Sequence, residues 1–275
     1  MLKPLLKRGA APLTSLSEFT QPSAGGSLKL LSFNIQVGIE TDAYHHYLTK
    51  SWQHLLPHGK RNVALARIAQ IMSHFDLVAI QEADGGSWRS GNINQVEYLA
   101  KHGGFPYWYQ QINRNLGRIA QHSNGALSRL LPTKIEKHRL PGLMPGRGAM
   151  VLHFGSGEDA LVVVIMHLAL SRNGQNRQLA YVRDLIAGHK NVVLMGDMNT
   201  HAQQLLEASP LKELALQPVV GDLKTFPSWK PTRGLDHILV SDSVQVNKVA
   251  VLDTSVSDHL PIAMEIQLPD SVQRR

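Results

Sequence analysis

The sequence predicts an α/β sandwich. Short apolar runs such as "LVVVIM" and "VVLM" have the length of buried strands, while stretches near 61–75 and 175–187 place apolar residues at helical spacing. Strands and helices mix without strict βαβ alternation, which argues for a sandwich over a doubly wound sheet. With 275 residues, 43% of them hydrophobic and 18% charged, the chain has material for a sizeable core.

The elements follow in order. Residues 1–27 end in "TQPSAGGS", show no sustained period and are read as a tail or irregular lead-in to a domain spanning 28–270. "LKLLSFNI" is a buried strand. Ala64, Ile68, Ile71, Met72 and Phe75 mark a helix over 61–75, and "DLVAIQ" follows as a strand that runs directly into Glu82. A second helix is expected over 95–102, closed by Gly103 and Gly104. "YWYQQI", "NGALSRL", "GAMVLHF" and "ALVVVIMH" read as strands, with "GSGED" a hairpin turn between the last two. Leu179, Val182, Leu185 and Ile186 share one helical face, and Gly188 stands where a carboxyl cap belongs. "NVVLM" is the next strand. A short helix near 202–208, the proline-rich loop "TFPSWKPTRG" and the strands "HILVS", "VNKVAVL" and "LPIAMEIQL" complete the chain.

Composition excludes several chemistries. Cysteine is absent, so there are no disulfides, thiolate metal sites or cysteine nucleophile. No run approaches the roughly 20 apolar residues of a membrane-spanning helix. Proline and charges interrupt "MLKPLLKRGAAPL", which is read as a cytoplasmic amino terminus and not as a signal peptide. Lys and Arg outnumber Asp and Glu by 28 to 21, and much of the excess lies in 111–147: Arg114, Arg118, Arg129, Lys134, Lys137, Arg139 and Arg147 against Glu136. Such a stretch is either a solvated face or a surface for a phosphate-bearing partner.

The polar residues fall in a pattern. Apolar strands end in, or are bordered by, Asn34, Glu82, His167, Asp197 with Asn199, and Asp236, while Asp258 and His259 precede the last strand. Each has an ordinary reading: Asn34 a turn, His167 a hydrogen-bonded core histidine, Asn199 or Thr200 a helix cap, Asp236 and Asp258 acceptors for loop amides. Their joint occurrence at strand ends suits a site built on a rigid frame.

The ordered set "SFNIQ", "AIQE", "NGALSR", "MHL", "GDMN", "LDHIL" and "SDHLP" resembles the endonuclease/exonuclease/phosphatase superfamily over roughly Leu28 to Leu268, nearly all the chain. The resemblance implies a four-layer α/β sandwich, two packed, mainly antiparallel sheets flanked by helices. It also implies hydrolysis of phosphoesters with a divalent metal, usually Mg²⁺, with Mn²⁺ as a substitute. On this reading Glu82 is the main metal ligand, Asn34 lies close by and Asp258 is a candidate ligand for a second ion. Asp197 and Asn199 orient or deprotonate the attacking water and hold the phosphate. If "GDMN" continues the strand, their spacing of two turns both side chains the same way. Asp236 holds the His259 ring and favours its imidazolium form. His167 faces the phosphate or the leaving group, and Asn124 contacts phosphate or substrate. Histidine at 167 differs from the tyrosine of many apurinic endonucleases, which moves the chain toward the deoxyribonuclease, sphingomyelinase and phosphatase branches.

Three functions follow from the resemblance and the charge. The first is a phosphodiesterase acting on nucleic acid, with the 111–147 stretch along the backbone and Trp88, Trp108 and Trp229 for stacking. The second is a hydrolase of a lipid headgroup or small phosphate ester, with "MLKPLLKRG" touching an anionic membrane. The third is a non-catalytic binding module on the same fold. The loop "FPSWKPTRGLDH" offers Trp229 and Arg233 as substrate contacts. His45 and His46, adjacent and without further ligands at metal spacing, are read as incidental.

Overall fold

The computed structural model describes residues 13–21, 26–38, 60–142, 146–218, 223–254, 256–269 and 272. His45 and His46 and the segment "MLKPLLKRG" lie outside the described residues. The strands in chain order are β1 (Leu13–Thr14), β2 (Ser27–Asn34), β3 (Leu77–Asp84), β4 (Tyr107–Asn115), β5 (Gln121–Ser128), β6 (Lys134–Arg139), β7 (Gly148–Phe154), β8 (Leu161–His167), β9 (Asn191–Asp197), β10 (Leu216–Pro218), β11 (Asp236–Ser241), β12 (Val246–Leu252) and β13 (Ile262–Gln267). The helices are α1 (Lys60–Met72), α2 (Gln95–Gly103), α3 (Arg172–Ile186) and α4 (Ala202–Glu207).

One sheet runs in the order β1-β12-β13-β2-β3-β5-β4 and the other in the order β10-β11-β9-β8-β7-β6. Most neighbours are antiparallel; the parallel pairs are β1 with β12, β2 with β3, and β8 with β9. Side-chain alternation explains the layering. Leu28 and Leu30 of β2 face an inter-sheet core with Val163, Ile165, Val193 and Met195, whereas Leu31 and Phe33 turn outward to Ile68, Met72 and Leu99 of α1 and α2. Val162, Val164 and Leu194 turn the other way, onto Leu179 and Val182 of α3. The central strands are therefore covered on both faces, which is why they read as continuous apolar runs and not as alternating ones. Each fully buried Leu or Phe contributes roughly 1.5–3 kcal/mol by leaving water. The result is the expected four-layer sandwich.

The helix ends follow local chemistry. Asn94 Oδ1 accepts from Val96 N and Glu97 N (3.1 and 3.2 Å), and Gly104 at φ 68° closes α2 as expected. Met72, three residues before the expected end, is the last residue of α1, although Phe75 remains buried in the same core.

Three strands escape the sequence reading. β6, "KIEKHR", is a charged edge strand, and charge is how sheets protect open edges. β1 and β10 are too short to show a period. β1 lies in the 1–27 lead-in, where Leu13 and Thr14 pair with Val251 and Leu252. Nearby, Phe19 is buried, and its carbonyl accepts from Lys29 Nζ at 2.7 Å. The far part of that lead-in is thus packed onto the domain. Among the described residues, no helix is long and apolar enough to cross a membrane.

Candidate active site at one end of both sheets

Sheet register assembles the centre. His167 is the last residue of β8 and lies beside Asp197, the last of β9, in a parallel ladder. Asp197 in turn pairs with Asp236, the first residue of β11, in an antiparallel one. Three chemistry-bearing residues therefore stand in a row at the same level of adjacent strands. The close approach of β8 and β9 requires glycine just behind them: Gly196 has φ 146°, and a Cβ there would sit 1.9 Å from the Met166 carbonyl oxygen.

The facing sheet supplies Asn34, Glu82 and Asn124. Asn34 ends β2, and its Nδ2 donates to Asp197 Oδ2 at 3.0 Å, joining the two sheets. Glu82 lies where the β3–β5 register shifts between Ile80 and Ala83, and it takes φ 59°. Left-handed backbone at a non-glycine residue costs about 1 kcal/mol or more and is concentrated at functional sites. Just beyond, buried Asp84 fixes the turn that follows. Its carboxylate accepts from Gly86 N, Ser87 N, Ser87 Oγ, Arg89 Nε and Ser90 Oγ at 2.6–3.0 Å. Burial opposes that charge, but the bonds from Ser87 and Arg89 outweigh it and hold the carboxyl below its usual range.

The two site histidines have opposite preferences. His259 Nδ1 lies 2.7 Å from Asp236 Oδ2, and Thr225 Oγ1 donates to the same oxygen at 2.5 Å, while Asp236 Oδ1 is buried with no partner among the described residues. Burial disfavours a charged His259 ring, yet Asp236, then Asp197 and Asp258, prevail and hold its pKa well above the ordinary value. His167 is pushed well below it by burial and by Arg147, His259 and His122. The Nε2 atoms of His167 and His259 lie 3.5 and 4.0 Å from Asp197 Oδ2. Burial, with Asp236 second, pushes the Asp197 carboxyl up to about 7 against the pull of His259; burial pushes Asp258 up to about 6. The backbone holds His259 in place: Ser228 N donates to the Asp258 carbonyl at 2.7 Å and Leu260 N to the Thr225 carbonyl at 2.8 Å.

Ligand atoms of Glu82, His167 and Asp197, and separately of Asp197, Asp236 and His259, lie within 4.8 Å of one another, close enough to hold a metal ion. The donors are carboxylates, which suit a hard divalent cation, and imidazoles, which suit Zn²⁺ and other transition-metal ions.

A cleft of about 180 Å³ opens beside this centre, lined by Glu82, Asn113, Arg114, His122, Ser123, Asn124, Gly146, Arg147 and His167. Asn124 Nδ2 donates to the Gly148 carbonyl at 3.2 Å, so the residue is both structural and cleft-lining. Arg147 has no hydrogen-bond acceptor among the described residues; burial lowers its pKa while Glu82 and Asp197 raise it. Sequence reasoning placed Arg114 and Arg147 only in a charged stretch, and it missed His122 and Thr225 altogether. His122 sits in a polar run with no marker, and its position depends on its pairing with Arg114 and Asp84 across two ladders.

Some expectations change. β9 ends at Asp197 and Asn199 takes φ 52°, so strand alternation does not align the two side chains. Asn199 Nδ2 donates instead to the Leu168 carbonyl (3.0 Å), and its N–H donates to Asp197 Oδ1 (2.9 Å). Nor is Asn199 or Thr200 the cap of the helix that follows. His201 occupies that place without a side-chain bond, and the Thr200 carbonyl lies 2.7 Å from His237 Nε2. Arg233 is exposed, its guanidinium 6.0 Å from the Phe226 ring, which itself lies 4.9 Å from His259; Trp229 is half-buried. Neither of these two lines the cleft.

A family model for the endonuclease/exonuclease/phosphatase family matches residues 31–259, which takes in every site residue above from Asn34 to His259. The chain belongs to this family. Its members are metal-dependent phosphoesterases, and the chain is one by membership. No curated protein matches the sequence. Among solved structures, an endonuclease/exonuclease/phosphatase from Beutenbergia cavernae is similar at 19% identity, with 89% of this chain and 72% of that one covered and a TM-score of 0.65. A family protein from Leptotrichia buccalis gives 14%, 87%, 99% and 0.66. A mannosyl-6-phosphatase of Bacteroides thetaiotaomicron gives 16%, 87%, 99% and 0.60. At these identities the likeness is one of fold.

Proposed function

We propose that this endonuclease/exonuclease/phosphatase family member is a Mg²⁺-dependent phosphodiesterase in which water attacks phosphorus in line. The observation that carries the reading is the row His167, Asp197, Asp236 on adjacent strands, with His259 bonded to Asp236 and Glu82 facing it. Asp197 and Asp258 are carboxyls that burial leaves short of compensating charge, as a cation site requires. Glu82 is the principal metal ligand in this proposal, with Asn34 beside it and Asp258 for a second ion. When bound, Mg²⁺ or Mn²⁺ polarises a phosphoryl oxygen and makes a bound water more acidic.

The remaining work falls to side chains. Asp197 takes the proton of the attacking water, with His259 the second choice as base. His259 otherwise acts as an imidazolium that stabilises negative charge on the phosphate, oriented by Asp236 and Thr225. The lowered pKa of His167 supports a neutral ring that hydrogen-bonds the phosphate over an acid for the leaving group. Asn124 contributes a phosphate contact, and Asn199 fixes the Asp197 backbone turn. Trp229 and Arg233 are proposed as outer substrate contacts.

Nucleic acid as substrate draws support from Arg114 and Arg147 in the cleft, guanidinium groups suited to phosphate oxygens. A phospholipid headgroup or small phosphate ester is the second reading; it is favoured by the apolar surface described below. The test is a panel of supercoiled DNA, single-stranded DNA, RNA, sphingomyelin, inositol phosphates and an aryl phosphodiester, with Mg²⁺ or EDTA. Glu82→Ala should abolish metal-dependent turnover and His259→Ala should reduce it severely; near-normal activity in Glu82→Ala defeats the assignment.

A further inference from the structure

The β4–β5 hairpin ends in an unusual tip. Leu116 and Ile119 are 43% and 57% exposed there, with Ile112 on β4 at 46%. Asn115 and Gly117 make an ordinary turn there, with Gly117 N donating to Asn115 Oδ1 at 2.9 Å, but large exposed aliphatics grouped beside it mark an interaction surface. Trp88, 50% exposed, belongs to the same body: its backbone N–H donates to the Arg118 carbonyl at 2.7 Å, and Arg89 N donates to the Ile119 carbonyl at 3.3 Å.

The charge exposed on this tip is positive; the nearby acids are Asp84, buried and ion-paired with Arg89, and Glu82 in the cleft. Arg114 and Arg118 are exposed, and neither guanidinium has a hydrogen-bond or ion-pair partner among the described residues. No Asp or Glu occurs from 111 to 135. We propose that this tip, with Trp88 beside it, docks on an anionic lipid surface and sets the catalytic cleft at the level of the headgroups. Leu116, Ile119 and Ile112 enter the acyl boundary, Trp88 lies at the headgroup level, and the arginines reach lipid phosphates.

Two further points favour lipid over nucleic acid at the tip. Strand-binding surfaces use successive aromatic rings for stacking, and here Trp88 is a single ring beside three exposed aliphatic side chains that offer no π face. The cleft also begins where the tip ends: Arg114 is two residues from Leu116, pairs with His122 in the hairpin register, and lines the cleft with it and Glu82. A chain docked by the tip thus presents its cleft to phosphoesters in the surface. The docking stands apart from the catalytic reading, because it is measured without turnover.

The test is co-sedimentation of the full chain with vesicles of phosphatidylcholine alone and of phosphatidylcholine with phosphatidylglycerol. The chain should sediment with the anionic vesicles, and Leu116→Ser/Ile119→Ser should lose that binding by tenfold or more, on the order of the two buried side chains. Arg118→Gln should weaken it roughly fivefold, and Val63→Ser, on exposed α1 surface, should leave it unchanged. The double variant should hydrolyse a soluble aryl phosphodiester like the parent, which reports its folding; if it does not, Trp88→Ser serves as the second tip variant. Glu82→Ala should still sediment, which separates failure of docking from failure of catalysis. Undiminished sedimentation of the tip variants overturns the proposal. So does a loss confined to binding of a single-stranded oligonucleotide, which would assign the tip to nucleic acid.

Discussion

Asp236→Asn isolates the charge behind His259. The substitution keeps the shape of the side chain and an oxygen that can accept from both His259 Nδ1 and Thr225 Oγ1, but it removes the negative charge. His259 and Asp236 side chains are 8% and 1% exposed and their bond is 2.7 Å long, so solvent screens it little. A charged hydrogen bond of this kind contributes about 1.5–3 kcal/mol, which converts to roughly a 10- to 150-fold loss in kcat/KM if the imidazolium stabilises the transition state. The pH profile should move as well. Asp236 is the chief group raising the His259 pKa, so its neutralisation lowers that pKa and activity begins to fall at a lower pH on the alkaline side. The fold should lose stability as well, by about 3 kcal/mol where the His259 ring stays charged, because removing one member of a buried ion pair leaves the other uncompensated. The assay is a pH series of kcat/KM on an aryl phosphodiester with Mg²⁺, beside a thermal melt. A loss under threefold with an unmoved alkaline limb would refute the role given to the pair.

Three further outcomes follow from the same geometry. In EDTA, Asp197 and Asp258 contribute stability that is full below about pH 4 and is lost as pH rises to about 7, their folded pKa values being about 7 and about 6, so the melting temperature of Asp197→Asn/Asp258→Asn should rise relative to the parent's over that range. His259, raised, adds stability that is lost at higher pH still, while the lowered His167 works the opposite way below about 6.5. Because a cation binds the deprotonated carboxylates, the melting shift produced by Mg²⁺ should be larger at pH 8 than at pH 5.5, and equal shifts would remove these groups from the metal site. Gly196→Ala places a Cβ 1.9 Å from the Met166 carbonyl oxygen, so β8 and β9 must separate. A cost of about 3 kcal/mol or more is expected, lowering the melting temperature by roughly 6–12 °C; an unchanged melt would show that the ladder can open there freely.

The sequence disclosed what repeats or ends abruptly. β2, β8 and β9 were legible because both faces are covered, and the polar residues closing them stood out against apolar runs. β6 was not, because an edge strand carries charge where a central one carries Val and Ile. Within the site, Asp236 and His259 could be read as a pair from the resemblance, and the 2.7 Å bond accords with it. Nothing in a linear reading marks Glu82 as left-handed, since the register shift arises only when β3 pairs with β5. The same-side expectation for Asp197 and Asn199 failed because it assumed that β9 continues, whereas the Asn199 N–H closes a turn onto Asp197. His122 and Arg147 become visible only as walls of a cleft, a property of several strands at once.

The row formed by His167, Asp197 and Asp236 has a consequence for how such enzymes can diversify. Neighbouring strands lie roughly 4.8 Å apart by the geometry of the ladder itself, so the separation of these groups is inherited from backbone pairing. A segment that only borders the row, such as the tip at Leu116, can be lengthened, exchanged or altered without moving it, whereas the one carrying Trp229 and Arg233 also braces Asp236 and His259 through Thr225 and Ser228. What is cut and how it is cut are thereby written in separate parts of the chain, and a graft of one border segment is a route to a new substrate with the old chemistry.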